Sequence, residues 1–374
     1  MKSKWQKIKI GEISNINTFS YSQKDNWDFV NYLDTGNITN NQIDKIQRID
    51  LKNEKLPSRA KRKVKNNSII YSTVRPNQCH FGILKNQPQN FLVSTGFAVI
   101  DIDELIADSD FIYYYLTQAP IIERLHSIAE QSVSAYPSIK SSDIADLVLL
   151  LPSLEIQKRI SNILSSLDDK IELNNRINDN LEQQAQAIFK NMFPSINSGN
   201  TEVGTYIVPK RGKNLTEKNA IFGDVPVVAG GLEPSIYHNK SNTTAPLITI
   251  SASGANAGYI KLWHIPVWSS DSSFIDSNMT ENVYFWYIVL KLRQKEIFDS
   301  QTGSVQPHIY PKHIAQLKIE TISKEQITIF TQKVTPLFLM MGTKILENEK
   351  LIKIRDALLP KLISGKIDVS NLII

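Results

Sequence analysis

The chain has 374 residues, 41% of them hydrophobic, a net charge of +5 and one cysteine. That length accommodates two to three domains with real cores, and a lone Cys79 excludes an internal disulfide and any Cys-rich metal site. No run of about 18 apolar residues is present to span a bilayer, and the opening Met-Lys-Ser-Lys-Trp lacks a signal peptide's apolar stretch, so a cytoplasmic location is expected.

Residues 1–152 read as a mixed α/β domain. Strands are predicted at 68–74 and 91–101, where β-branched and aromatic residues dominate. A helix is predicted from Asp110 to Pro120, a second one through Glu130, and a strand at 146–151 between Pro137 and Pro152. Ser153 then N-caps a long helix. Its apolar seam runs Ile160, Leu164, Leu167, Ile171, then Leu181, Ala185, Ile188, Met192, with Asn174 and Asn178 on the missing rungs. Steps of four and three define a coiled-coil seam, and Phe193-Pro194 ends it. Between 194 and 321 the mixed pattern returns, with strands at 247–251 and 267–276 and a helix at 282–293. Ser323-x-x-Gln326 is a capping box for the last helix. Its seam is Phe330, Val334, Leu337, Met341, Lys344, Asn348, Leu351, Arg355, Leu358, Leu362. Pro336 should kink this helix and Gly365 should stop it.

The order of parts is therefore stated twice. Pro137, Ile139, Ile144, Ala145 and Leu147 return 170 positions later (307 − 137) as Pro307, Ile309, Ile314, Ala315 and Leu317. The two seams obey the same shift. Upstream the offset drifts to 175, which matches Asp101 with Asp276 (276 − 101) and sets Tyr115 opposite Tyr287. Two helices with equivalent seams most simply pack on each other, antiparallel, because the intervening domain must return the chain. The competing arrangement packs each helix on its own domain. The polar seam positions Asn174, Asn178, Lys344 and Asn348 either fix register or face water where the helices diverge.

No catalytic constellation is legible. Gly-x-Gly-x-x-Gly, a Walker loop, Asn-Pro-Pro-aromatic, His-Glu-x-x-His and Gly-x-Ser-x-Gly are all missing. Ala229-Gly230-Gly231 reads as a turn, and Asp101-Ile-Asp103-Glu104 as a solvated strand end. What is present is basic and polar. Lys52, Lys55, Arg59, Lys61, Arg62, Lys63 and Lys65 form the densest cationic run, opposed only by Glu54. Lysines supply sequence-independent phosphate contacts. The run precedes Arg75, Asn77 and Gln78, whose side-chain types hydrogen-bond bidentately to guanine or adenine edges. In the second repeat Asn256 stands opposite Asn77, with Lys210, Arg211 and Lys213 on a loop. Ser134 and Tyr136 precede Pro137, and Ser304 and Gln306 precede Pro307; these polar loops are either base-reading segments or ordinary turns.

Local wording adds a resemblance. Leu151-Pro-Ser-Leu-Glu-Ile-Gln157, then Ile160-x-x-Ile-Leu-x-x-Leu-Asp168, resembles the start of the central conserved region of type I restriction–modification DNA specificity subunits. Ala187-Ile-Phe-Lys190 with Phe193 resembles its end, and Leu351-x-x-x-Arg355-Asp-x-Leu-Leu-Pro-Lys361-Leu-x-Ser-Gly365-Lys-Ile-Asp368 resembles the distal region. The family's double proline before the central helix is here Pro152 followed by Ser153. The resemblance covers essentially the whole chain. It implies two mixed α/β target recognition domains, 1–152 and 194–321, separated by two long antiparallel coiled-coil helices, 153–193 and 322–366, with a tail at 367–374 and a pseudo-twofold internal repeat. It implies a non-catalytic subunit in which each repeat reads half of a bipartite double-stranded DNA target. The helices would set the gap and dock two modification (methyltransferase) subunits, and restriction (translocase/nuclease) subunits would join them. S-adenosylmethionine, ATP and magnesium would belong to those partners, and this chain would hold no cofactor or metal. The readings that compete with it are a coiled-coil scaffold, a DNA-binding protein outside restriction–modification, and an enzyme fused to such domains.

Overall fold

The structure, a computed structural model, describes residues 5–131, 136–303 and 306–370. It forms two compact units, Met1–Ile171 with Lys350–Ile374, and Glu172–Glu349. Each boundary falls inside a long helix: the central helix, Leu154–Met192, and the distal helix, Lys324–Ile363.

In the first unit one antiparallel sheet has the order Ser14–Ile16, Phe97–Ile102, Ser68–Ser72, Phe81–Leu84. Ser68–Ser72 is buried at every position, which is why its sequence is a continuous run rather than an alternation. A second sheet has the order Gln47–Asp50, Phe29–Leu33, Phe91–Ser94, Ala60–Lys63, its middle pair parallel. The expected strand at 91–101 is thus two strands. The chain turns at Thr95-Gly96 and passes from one sheet to the other. The strand expected at 68–74 stops at Ser72, and the one expected at 146–151 begins at Val148. The first helix is Ser109–Leu116, with the Asp108 carboxylate accepting from the Phe111 amide at 2.9 Å. Ala119–Glu130 follows with Pro120 in its first turn, where a missing N–H costs nothing.

The second unit repeats this topology. Lys210–Arg211, Ser272–Asp276, Leu247–Ser251 and Ile260–Trp263 form one sheet, and Ile236–His238, Val225–Val228 and Trp268–Ser269 the other, again with a parallel pair. Among the described residues it lacks a strand corresponding to Ala60–Lys63. The strand expected at 267–276 also breaks, at Ser270-Asp271. Lys210 and Arg211, expected on a loop, are strand residues paired with Phe274 and Ser273. Asp101 and Asp276 do occupy matching places: each directly follows the isoleucine (Ile100, Ile275) that pairs with Ile69 or Ile248.

Within each unit the two helices run antiparallel. In the first, Asp168 meets Arg355 and Arg159 reaches the Ser370 carbonyl. In the second, Asn174 meets Asn348 and Phe189 meets Phe330. The two arrangements weighed above coexist, because each helix packs on its partner and on a domain. Ile160, Leu164 and Leu362 share one core with Ile10, Phe111, Leu125 and Ile144. Leu181, Ala185, Phe189, Phe193, Phe330, Val334 and Phe338 share another with Ile250, Ile275 and Phe285. This corrects the seam. Phe189 and Phe193 are buried where Ile188 and Met192 were expected, since a core-facing helix uses a broader stripe than a two-stranded coil.

Asn174 and Asn348 lie inside the pair, not in water. Asn174 donates to Asn348 Oδ1 at 2.8 Å and to Glu347 Oε2 at 3.1 Å, and Asn348 donates to Asn175 Oδ1 at 2.8 Å. The distal helix opens with the expected capping box, its two hydrogen bonds between Ser323 and Gln326 each 3.2 Å. It continues through Pro336 as one element and ends at Ile363. Gly365 then takes φ +70° and donates to the Leu362 carbonyl at 3.1 Å.

Candidate nucleic-acid interface

In the first unit three distant stretches meet around the Thr95-Gly96 turn. Thr73 donates its N–H and its hydroxyl to the Gly96 carbonyl at 2.8 and 2.9 Å. The Thr95 N–H reaches the Arg59 carbonyl at 2.8 Å, and Arg62 Nη2 reaches the Thr95 carbonyl at 3.4 Å. The Arg75 N–H bonds the Pro137 carbonyl at 2.9 Å, and its guanidinium stands 5.6 Å from the ring centre of Tyr136. Arg59, Arg62, Arg75 and Tyr136 are therefore neighbours at one corner of the domain. Arg75 has φ +48° and opens the turn Pro76–Gln78, which leaves Asn77 and Gln78 exposed. Ser134 lies outside the described residues.

The basic run is divided between exposed and half-buried side chains. Arg59, Lys61 and Lys65 are exposed. Lys63 is half-buried, paired with Asp25 and set 5.1 Å from the Trp27 ring centre. That hydrogen bond holds the Asp25 carboxyl below its ordinary pKa. Arg62 is half-buried as well, and burial pulls its guanidinium below the usual value. Lys52 pairs with Asp28 at 2.7 Å, and Lys65 lies over Phe19 at 4.2 Å. Among the described residues, no ion pair engages Arg59, Lys61 or Arg75.

The second unit builds the same corner. The Ala252 N–H bonds the Asp271 carbonyl at 3.2 Å, as Thr73 bonds Gly96. The Gly254 N–H bonds the Pro307 carbonyl at 3.1 Å, as Arg75 bonds Pro137. The Ile309 N–H bonds the Ala252 carbonyl at 3.0 Å, as Ile139 bonds Thr73 at 2.8 Å. Gly254 has φ +80°, the left-handed counterpart of Arg75. Asn256 stands two residues into this turn, as Asn77 does. Asn256 is half-buried, while Gln306, Lys210, Arg211 and Lys213 are exposed. The Lys213 N–H bonds the Ser269 carbonyl at 2.9 Å, which brings its loop to the same turn. Ser304 lies outside the described residues.

Sequence reasoning missed Asp271. Its carboxylate accepts from Arg211 Nη2 at 2.5 Å and from the Ser253 hydroxyl. The available signal was an acid among serines, Ser269-Ser-Asp271-Ser-Ser273, inside a strand-like run. Ala229-Gly230-Gly231 abuts this corner. A Cβ at Gly230 would lie 2.6 Å from the Ser253 carbonyl oxygen, so only glycine allows the approach.

Elsewhere polar groups are structural. Asp101 is buried and accepts from Ser68 Oγ at 2.5 Å, which corrects its reading as a solvated strand end, and Glu104 accepts from Asn67 at 2.8 Å. Among the described residues no cluster of three or more His, Cys, Asp or Glu is arranged to hold a metal ion, and no helix is long and apolar enough to cross a membrane. The tyrosine that does in the first unit what Tyr287 does in the second is Tyr114, not Tyr115. Tyr114 donates to Asp168 at 2.6 Å and Tyr287 to Glu182 at 3.0 Å, both carboxylates on the central helix. Burial, then the carboxylate, pushes both hydroxyls upward. Tyr115 instead bonds the Val148 carbonyl at 3.0 Å.

Two domains of one topology, each gathering cationic and amide side chains at the same corner, present a pair of candidate nucleic-acid surfaces. Comparison with known proteins makes the class particular. Residues 2–183 match the family described as "Type I restriction modification DNA specificity domain". The chain is 28% identical over 98% of its length to the whole of the type I restriction enzyme HindI specificity subunit of Haemophilus influenzae. It is 26% identical, over 71% of its length and 70% of the relative's, to the MjaIX specificity subunit of Methanocaldococcus jannaschii. Its fold is that of the type I restriction-modification S subunit from M. genitalium, with a TM-score of 0.59 at 20% identity, covering 97% and 96% of the two chains. The match to the DNA specificity family spans residues 2–183, and over its whole length the chain is similar to a type I specificity subunit.

Proposed function

We propose that each repeat reads one half of a bipartite duplex target, and that the helix pair fixes the gap between halves. The observation that carries this reading is the corner built by the same main-chain hydrogen bonds in both units, with Asn77 and Asn256 at matching positions and exposed cations nearby in each. Cations attract phosphate without regard to sequence, and amide and guanidinium groups discriminate bases. Both helices run unbroken through the residues where the units divide, which suits a spacer. Two methyltransferase subunits dock on the helices, and restriction subunits join that assembly. Exposed apolar side chains on the distal helix support a protein partner, with Leu339 at 59%, Met340 at 52% and Ile354 at 47% exposure. This chain carries no catalysis of its own. Methyl transfer and cleavage, with S-adenosylmethionine, ATP and magnesium, reside in the partners.

The test is to lengthen both helices by four residues beside Asn174 and Asn348, preserving the apolar steps. The insertion adds ~6 Å at ~1.5 Å per residue, about one to two base pairs at ~3.4 Å each. Methylation mapping should show the same half-sites with a longer gap. A folded, active variant that keeps its original gap would remove the spacer role. A complex that binds DNA without sequence preference would remove recognition itself and leave a scaffold.

A further inference from the structure

Asp271 is out of place on electrostatic grounds. It is paired with Arg211 on a strand that leads into the Lys213 loop, and its side chain is 35% exposed. A carboxylate on a surface that meets phosphate is repelled by it. Nor does the turn require this side chain. The hydrogen bond that shapes the turn uses the Asp271 backbone carbonyl, and the first repeat builds the same turn with Gly96.

What the side chain does provide is a held acceptor beside a held donor. One carboxylate oxygen takes Arg211 Nη2 at 2.5 Å, and the other takes the Ser253 hydroxyl. An ionised carboxylate offers about four lone-pair sites and a guanidinium five N–H donors. Two acceptor sites and several donors therefore remain for a ligand. In the major groove a C·G pair shows one donor, the cytosine N4 amine, beside two acceptors, guanine O6 and N7. A carboxylate next to a guanidinium is the complement of that pattern. An A·T pair suits it less, because thymine offers a single acceptor and then a methyl group.

We propose that Asp271 and Arg211 together read one C·G base pair in the half-site of the second repeat. Asp271 accepts from the cytosine amine, Arg211 donates to guanine, and Ser253 orients the carboxylate. The inference rests on the bipartite reading above. The first repeat, with Gly96 at this place, is its internal control.

The experiment uses the full chain in complex with its methyltransferase subunits. The complex methylates a library of duplexes with randomised half-sites, and the products are sequenced. The wild-type complex should require C·G at one position of the second half-site. With Asp271→Asn, preference for C·G there should fall on the order of tenfold or more, while every position of the first half-site keeps its preference. Arg211→Lys should relax the same position, and Ser253→Ala should relax it less. Should Asp271→Asn fail to fold, as judged by melting, Ser253→Ala carries the test. An unchanged preference at every position, or a uniform weakening on all duplexes, would overturn the inference and leave Asp271 as a counter-ion to Arg211. So would a second half-site with no C·G requirement. A wild-type complex without two separate half-sites would instead refute the bipartite reading, a distinguishable result.

Discussion

The two corners share a backbone and differ in charge. In the first repeat Arg59, Lys61 and Arg75 are free of ion pairs among the described residues, and Arg75 lies over Tyr136. In the second, Arg211 is tied to Asp271, and glycine occupies the place of Arg75. The lesson is that hydrogen bonds between main-chain atoms build the corner, so side chains there are at liberty to vary. The attachment of domain to helices differs as well. Tyr114, Asp168 and Arg355 form a polar clasp in the first unit, with Arg355 Nη1 2.8 Å from Asp168. In the second unit Phe330 has its ring centre 5.3 to 5.8 Å from those of Phe189, Phe193 and Phe285.

The attachment contrast makes the largest prediction. Phe330→Ala should destabilise the protein by about 3–5 kcal/mol, because a fully buried ring leaves a cavity that its neighbours fill only in part. Ile160→Val, at the equivalent place 170 positions earlier (330 − 160), should cost only about 0.5–1.5 kcal/mol. Denaturant unfolding of the two variants measures both. A Phe330→Ala loss as small as that of Ile160→Val would mean that the ring is not closely packed within the aromatic cluster.

A smaller effect separates two lysines on one strand. Lys61→Ala should weaken binding to target and non-target DNA alike and reduce the log–log salt slope by roughly 0.9. Lys63→Ala should leave that slope nearly intact and cost at most about 1 kcal/mol of stability, since its charge already faces Asp25 and Trp27. If both variants change the slope equally, the Lys63 pair opens when DNA binds.

Much of this architecture was legible because heptad steps and the Pro137/Pro307 match survive at a fixed shift. The rest was not, and the reason is geometric. The shift grows upstream through loops of unequal length. It is 179 at Arg75 and Gly254 (254 − 75), and 193 at Gly11 and Gly204 (204 − 11). Those two glycines are true counterparts, each within about 3 Å of an alanine once given a Cβ: Gly11 at 3.1 Å from Ala145 and Gly204 at 3.0 Å from Ala315. A constant offset misses them; Gly96 and Asp271 do match at the 175 shift (271 − 96), but a glycine opposite an aspartate has no likeness of residue type to flag it. Phe189 and Phe193 were misjudged for another reason. A seam read for a partner helix alone ignores the domain core that the same helix serves. Of the candidate DNA contacts, Arg75, Asn77 and Gln78 were findable by residue type. The withdrawal of Lys63 into an ion pair was not, because Asp25 is 38 residues away.

The central claim is that the two repeats read DNA separately from a common frame. The most direct measurement exchanges residues 1–152 for the first domain of a relative and maps methylated bases made by the resulting complex. One half of the recognised sequence should change, while the other half and the gap stay as they were. A change in both halves would mean that the corners read one continuous site together, and the account would be wrong.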